Sequence, residues 1–283
     1  MRKNLGFWPP FPIAIYYICD DDEGFTPNDK DSLFAALEHP DRVCRVDLCL
    51  TGPQLTEVAT LMQEPLPALT HLSFRWEDLG RSPPAIPRGF LGGSAPCLQY
   101  LHLEGIPFPA LLALVSSTSN LVVLHLDDIP QGGYLSPEAM VACLTALHRL
   151  KYLSIEFHPN TPRPDQIPPP PVARTLLPAL TSFRFRGVSE YLEGLVSRID
   201  SPQLSRIDIN YYLTQFFDFQ VAQLFKFIDR SEDPRLTLNR HAEVIFSSCL
   251  VTFEMYPCPE TKGPDRPVSV WSIAKGLKDK FRT

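Results

Sequence analysis

His102 and Glu104 recur 23 residues later as His125 and Asp127, so two imidazoles and two carboxylates share one spacing. Imidazole and carboxylate are ordinary zinc ligands, and neighbouring strands carrying these pairs would bring both histidines towards one ion. Parallel strands, however, point side chains of one column the same way instead of converging them. Nor does the sequence name a partner to orient either ring from behind. A surface histidine pair is therefore expected, with a metal-dependent hydrolase as the remote alternative. Other catalytic signatures are missing: there is no G-x-S-x-G elbow, P-loop, G-x-G-x-x-G or H-E-x-x-H. Gly92-Gly93 and Gly132-Gly133 lie among prolines without the lysine or hydroxyl of a phosphate cradle, and read as turns. No catalytic residue, metal ligand or cofactor site is assigned, and the chain is expected not to be an enzyme.

The elements that would carry these residues follow from a pattern seen seven times: an aliphatic residue, two variable positions, an apolar residue, one variable position and a third apolar residue. The copies are Val43/Val46/Leu48, Leu69/Leu72/Phe74, Leu98/Leu101/Leu103, Leu121/Leu124/Leu126, Leu150/Leu153/Ile155, Leu180/Phe183/Phe185 and Leu204/Ile207/Ile209. They start 26, 29, 23, 29, 30 and 24 residues apart, the period of a long, irregular leucine-rich repeat. The last two apolar residues of each copy are two positions apart, which places them on one face of a short strand. Between copies the spacing turns helical over 54–63, 108–118, 137–148, 190–199 and 219–229, with Ser136, Ser189 and Asp218 as expected N-caps. Strand and helix in alternation predict an α/β leucine-rich-repeat solenoid, a horseshoe with a parallel concave sheet and convex helices.

Strands in register would set the outward residues in columns. The first column runs Arg45, His71, Tyr100, Val123, Tyr152, Ser182 and Arg206. The second is Asp47, Ser73, His102, His125, Ser154, Arg184 and Asp208, and the third is Cys49, Arg75, Glu104, Asp127, Glu156, Arg186 and Asn210. Acidic residues gather at Glu104, Asp127 and Glu156, and basic ones at Arg184, Arg186 and Arg206, so charge is expected to reverse along the concave face. Tyrosine and arginine carry much of the energy of protein interfaces, and this face is the predicted protein-binding surface. The plainer alternative is a solvated sheet whose charges pair across strands.

The expected organisation is an N-terminal cap over 1–42, with a strand at 13–18 and a helix at 31–38, then the solenoid over 43–230 and a C-terminal cap and tail over 231–283. The cap would place strands at 243–246 and 250–255 against the last open sheet edge, followed by a helix over 271–281. Seven prolines between Pro159 and Pro171 predict a stiff insertion within the fifth repeat. Thirty prolines against fourteen glycines indicate extended connections. The net charge of −6 argues against a nucleic-acid partner. Seven scattered cysteines without a C-x-x-C pair give neither a zinc ribbon nor a disulfide framework. Prolines 9, 10 and 12 interrupt the only signal-like start, and no stretch is long enough to span a bilayer. A cytoplasmic or nuclear protein without membrane contact is expected.

The phrases Arg42-Val43-Cys44-Arg45-Val46-Asp47-Leu48, Phe90-Leu91-Gly92-Gly93-Ser94-Ala95-Pro96, Leu135-Ser136-Pro137-Glu138-Ala139-Met140 and Ser189-Glu190-Tyr191-Leu192-Glu193 resemble the F-box/leucine-rich-repeat-like proteins abundant in basidiomycete fungi. The likeness covers about Phe11 to Phe253. It implies that the repeats select a target for ubiquitin ligation while an N-terminal F-box holds the ligase adaptor. Two departures qualify it. The first expected strand begins at Ile13, which leaves no room for the forty or so residues of an F-box, so a ligase adaptor is expected only if an F-box lies upstream. The asparagine or cysteine usual after the third apolar position is replaced by Ile106, Ile129 and Val188, so the bends should be filled by apolar packing and proline. A free-standing scaffold or decoy is the alternative reading.

Overall fold

A computed structural model describes residues 11–17, 25–76, 86–87, 89–107, 112–159, 173–212, 221–231, 240–246 and 250–257. Most of the proline run, the Asp218 cap and the helix expected at 271–281 lie outside these residues. The chain forms two compact units, Met1–Tyr134 and Leu135–Thr283. Both are mixed α/β, with a mostly parallel sheet.

The first unit contains β1 (Ile13–Tyr17), α1 (Pro27–Leu37), β2 (Val43–Leu50), α2 (Gly52–Leu61), β3 (His71–Trp76), β4 (Tyr100–Glu104), α3 (Leu112–Ser117) and β5 (Val123–Ile129). Its strands lie side by side in chain order, and every pairing from β1 to β5 is parallel. α1 begins four residues before the segment expected because its true start signal is a capping box, and it ends at Leu37. Thr26 Oγ1 accepts from the Asp29 N–H, and the Asp29 carboxylate accepts from the Thr26 N–H. Thr51 and Gln54 make the same box at α2.

The second unit contains α4 (Pro137–Leu144), β6 (Tyr152–Phe157), β7 (Thr175–Leu176), β8 (Ser182–Gly187), α5 (Ser189–Val196), β9 (Ile199–Asp200), β10 (Arg206–Tyr212), α6 (Ala222–Asp229), β11 (Arg240–Phe246) and β12 (Leu250–Pro257). β6, β8 and β10 pair in parallel. β12 then adds antiparallel to β10, and β11 antiparallel to β12. The expected C-terminal strands therefore do cover the edge of β10, as a hairpin whose members are longer than their apolar cores suggested. Ser136 caps α4 as expected, its hydroxyl accepting from the Ala139 N–H at 3.3 Å. Ser189 does not cap α5: Val188 holds the N-cap position, and Ser189 is the first helical residue. Ile199, expected to end that helix, instead lies in β9, which pairs with β7.

All 21 apolar positions of the seven copies are at most 1% exposed. The first residue of six copies stands two residues before its strand, in a turn. Leu69, Leu98 and Leu121 in the first unit, and Leu150, Leu180 and Leu204 in the second, each donate their N–H to the carbonyl three residues back at 3.0 to 3.3 Å. Those carbonyls belong to Leu66, Ala95, Thr118, Leu147, Leu177 and Ser201, all buried themselves. Proline follows four of them, at 67, 96, 178 and 202, where its fixed φ suits the second position of a type I turn. The repeat is thus longer by one buried residue than its leucine pattern announces.

One position further on, main chains bond to each other between successive turns. Thr70 donates its N–H to Cys44 O at 2.9 Å, Gln99 to Thr70 O at 2.9 Å and Val122 to Gln99 O at 2.8 Å; in the second unit Thr181 donates to Lys151 O at 2.9 Å and Ser205 to Thr181 O at 2.8 Å. Side chains double the link. The hydroxyls of Thr70, Thr181 and Ser205 donate to the same carbonyls at 3.0, 3.1 and 3.0 Å. At the other ends of the strands Ile106 and Ile129 are buried, as their replacement of asparagine predicted, whereas Val188 is half-exposed. Gly105 and Asp128 occupy equivalent places after β4 and within β5, both with positive φ, of 70° and 50°. A Cβ on Gly105 would come within 2.9 Å of Trp76 Cε3, so this bend needs glycine for space as well as for φ.

In the second unit α5 packs against α4 and α6, and buried polar groups join the three. Glu193 on α5, 3% exposed, accepts from the N–H groups of Gln223 and Leu224 at 2.7 and 2.8 Å. It supplies from a neighbouring helix the cap that Val221 cannot give α6. Burial pushes the Glu193 carboxyl up, against the two N–H donors and Lys226, which pull it down. Arg198 pairs with Glu138 of α4 at 2.7 Å and donates to Gly194 O at 2.6 Å. Arg230 pairs with Asp200 and donates to Val196 O at 3.2 Å, closing the C-terminal end of α5.

Candidate functional site

Alternation along each strand, with apolar residues inward, leaves the intervening side chains on the opposite sheet face. In the first unit these fall into the expected register: Arg45, His71, Tyr100 and Val123; Asp47, Ser73, His102 and His125; Cys49, Arg75, Glu104 and Asp127. The second unit lines up Tyr152, Ser182 and Arg206; Ser154, Arg184 and Asp208; Glu156, Arg186 and Asn210. β12 extends two of these rows with Glu254 and Thr252.

On the first unit the rings form a continuous strip. His71 stacks on Tyr100 with centroids 3.9 Å apart, Tyr100 meets His125 at 5.7 Å, and His125 meets His102 at 5.3 Å. Tyr16 of β1, more than half exposed, extends the strip beneath the Arg45 guanidinium, 5.0 Å from its centroid. Desolvation, helped by the neighbouring Arg45, holds His71 down to about 4, so the stacked imidazole is neutral near pH 7. Asp47 sits between Arg45 and Arg75, at 3.5 and 3.6 Å.

The histidine and carboxylate constellation is partly assembled. His102 Nε2 lies 3.1 Å from Asp127 Oδ2 but outside hydrogen-bonding geometry, and His125 Nδ1 lies 3.8 Å from the same oxygen. On its other side His102 Nδ1 is 3.4 Å from Ser73 Oγ. Glu104 is half-buried in register with Asp127, with no ion pair to it among the described residues. Among those residues no three histidine, cysteine, aspartate or glutamate side chains are placed to hold one metal ion. Ser73, His102 and Asp127 do follow one another as a hydroxyl, an imidazole and a carboxylate. Yet Ser73 is 3% exposed, and a nucleophile must meet its substrate.

On the second unit, charges meet across strands. Arg186 donates to Glu156 at 2.7 Å and lies over the Tyr212 ring, 5.5 Å from its centroid. Arg184 stands 3.5 Å from Asp208. Asn210 donates to Asp208 at 2.9 Å and accepts from the Thr252 hydroxyl at 2.6 Å. The acidic and basic groups read from the columns are thus interleaved here, since Glu156 and Asp208 flank the two arginines of β8. Arg206 is exposed at the start of β10, with no ion pair among the described residues.

Sequence reasoning overlooked the hydroxyl rung at the strand entrances and the burial of Glu193. The first was visible as Thr70, Thr181 and Ser205 directly after the leading leucine. The second had no local signal, because its partners lie 30 residues on. A scan of protein-family models finds no match to this chain, and a search of curated proteins finds none. No helix among the described residues is long and apolar enough to cross a membrane.

Proposed function

We propose that the chain is a leucine-rich-repeat solenoid acting as a non-catalytic protein-recognition module, with the outward sheet face as its binding surface. The observation that carries this reading is the strip of half-exposed rings from Tyr16 through His71 and Tyr100 to His125, next to arginines on the same face. Rigid aromatic rings and guanidinium groups lose little conformational freedom on binding and suit the anchoring part of an interface. Resemblance to the F-box/leucine-rich-repeat-like proteins makes the partner a target for ubiquitin ligation. A ligase adaptor would join only through an F-box encoded upstream. The alternative is a free-standing scaffold or decoy that sequesters its partner. A cytoplasmic or nuclear location goes with either reading.

Proximity labelling with the intact chain, compared with an Arg184→Glu/Arg186→Glu variant, tests the proposal. Partners should be recovered by the parent chain and lost by the variant. An unchanged set of partners would remove the second unit's arginines from the binding surface, the same outcome with His71→Ala/Tyr100→Ala would remove the ring strip, and recovery of ligase components by this chain alone would show that an adaptor contact exists within it.

A further inference from the structure

With Glu254 of β12 opposite Asp208, the second unit's face is balanced in formal charge, three arginines to three carboxylates, but its ion pairs are not balanced in exposure. Arg184 has 44% of its side chain exposed, while Asp208 beside it has 21%; Arg186 has 35% and its partner Glu156 has 19%. In both pairs the arginine presents about twice as large a share of its side chain to solvent as the carboxylate does. Arg206 is exposed as well. An approaching molecule therefore meets guanidinium groups first, although the whole chain carries a net −6.

Spacing narrows the partner further. Arg184 is opposite Asp208, and Arg206 is opposite Ser182, so the two arginines are diagonal neighbours on β8 and β10. In a parallel pair, strands about 4.8 Å apart and a two-residue rise of about 6.6 Å put such diagonals roughly 8 Å apart. In an extended peptide, alternate side chains are about 6.8 Å apart on the same side. Ser182, two residues before Arg184 on β8 and opposite Arg206, is small enough to admit a chain close to the sheet.

We propose that Arg184 and Arg206 dock an extended acidic peptide segment through carboxylates at alternate positions. The proposal rests on the protein-recognition reading above and names the chemistry of the partner. A carboxylate suits the site better than a phosphate, since Asp208 and Glu156 at the base repel a doubly charged group more strongly. Nucleic acid would need a dense basic field, which an interleaved face on an acidic protein does not supply.

Fluorescence anisotropy with a labelled octapeptide of alternating glutamate and serine tests this, against a glutamine–serine peptide and a single-stranded oligothymidine of similar length. The full chain should bind the glutamate peptide at low salt, and the Arg184→Glu/Arg206→Glu variant should bind it at least about tenfold more weakly. Arg149→Glu/Lys151→Glu, an equal change of charge on an exposed turn, should leave binding within about twofold, which removes net charge as the cause. Equal affinity for the two peptides, undiminished binding by the face variant, or tighter binding of the oligonucleotide would each overturn the proposal. Cross-linking a captured protein to this face through a segment without acidic residues would overturn it too, while leaving the recognition reading intact. Failure of any protein to cross-link there would remove both.

Discussion

The imidazole of His71 lies flat on the ring of Tyr100, with centroids 3.9 Å apart and planes 4° from parallel. Two residues 29 positions apart in the chain are brought into this contact by the β3–β4 register alone. The stack keeps the imidazole partly dry and close to Arg45, and both effects favour its neutral form.

A pH dependence follows. The folded chain holds His71 near 4, whereas the unfolded chain protonates it near 6.5. As pH falls between these values the unfolded state takes up a proton that the folded state refuses, so stability is lost over this window. His71→Phe should keep the stack and flatten this part of the profile, read as urea midpoints from about pH 6.5 down to about pH 4. An unchanged slope in the variant would assign the loss to other groups.

Glu193 should matter more than its place on an outer helix suggests. Glu193→Ala strands two N–H groups at the start of α6, one buried at Leu224 and one half-buried at Gln223, and is expected to cost about 2 to 3 kcal/mol. Glu193→Gln, which keeps one acceptor, should cost about half of that. Hydrogen exchange at Gln223 and Leu224 is the local readout; exchange unaltered in Glu193→Ala would mean that α6 finds another cap.

The Arg198–Glu138 pair should respond unequally to truncation. Glu138 is 46% exposed and Arg198 only 7%. Removing the carboxylate alone with Glu138→Gln should cost under about 1 kcal/mol, in line with half-solvated pairs. Arg198→Ala also releases Gly194 O and buried stem contacts, and should cost about 2 to 4 kcal/mol in chemical denaturation. Equal costs would show the ion pair, not the packing, to dominate.

Ser201 offers a change in the opposite direction. It is 3% exposed, and its Oγ has no hydrogen-bond partner among the described residues. The equivalent residues of the other turns are Leu66, Ala95, Thr118, Leu147 and Leu177. Ser201→Ala should leave stability unchanged or raise it by about 1 kcal/mol, because no bond among the described residues is lost and a hydroxyl no longer needs drying. A clear drop in melting temperature would reveal an unseen partner.

The seven-fold pattern made the strands and their register legible because a strand with one buried face repeats every second residue, and a slip by one would turn leucines outward. It did not reveal the turn, whose buried residue varies from leucine to serine, nor β7 and β9, which are two residues each and have no period to read. Ser189 misled because a serine before a glutamate suits a cap in isolation, while the backbone placed Val188 there instead. On the outward face, column positions were readable but the exposure of each charge was not. That Arg184 is more exposed than Asp208 depends on stem lengths and neighbours, not on the order of residues.

The six turns that lead into strands have a consequence for how such a chain can change. The distance from the leading leucine to its strand is always two residues, yet copies are spaced by anything from 23 to 30. The variation in length is therefore absorbed after the third apolar residue, mostly between the end of one strand and the next turn. Insertions and deletions there leave every outward residue opposite its old neighbour, so the outer segments can drift in evolution, or be cut and grafted by design, without rewriting the lettering on the sheet.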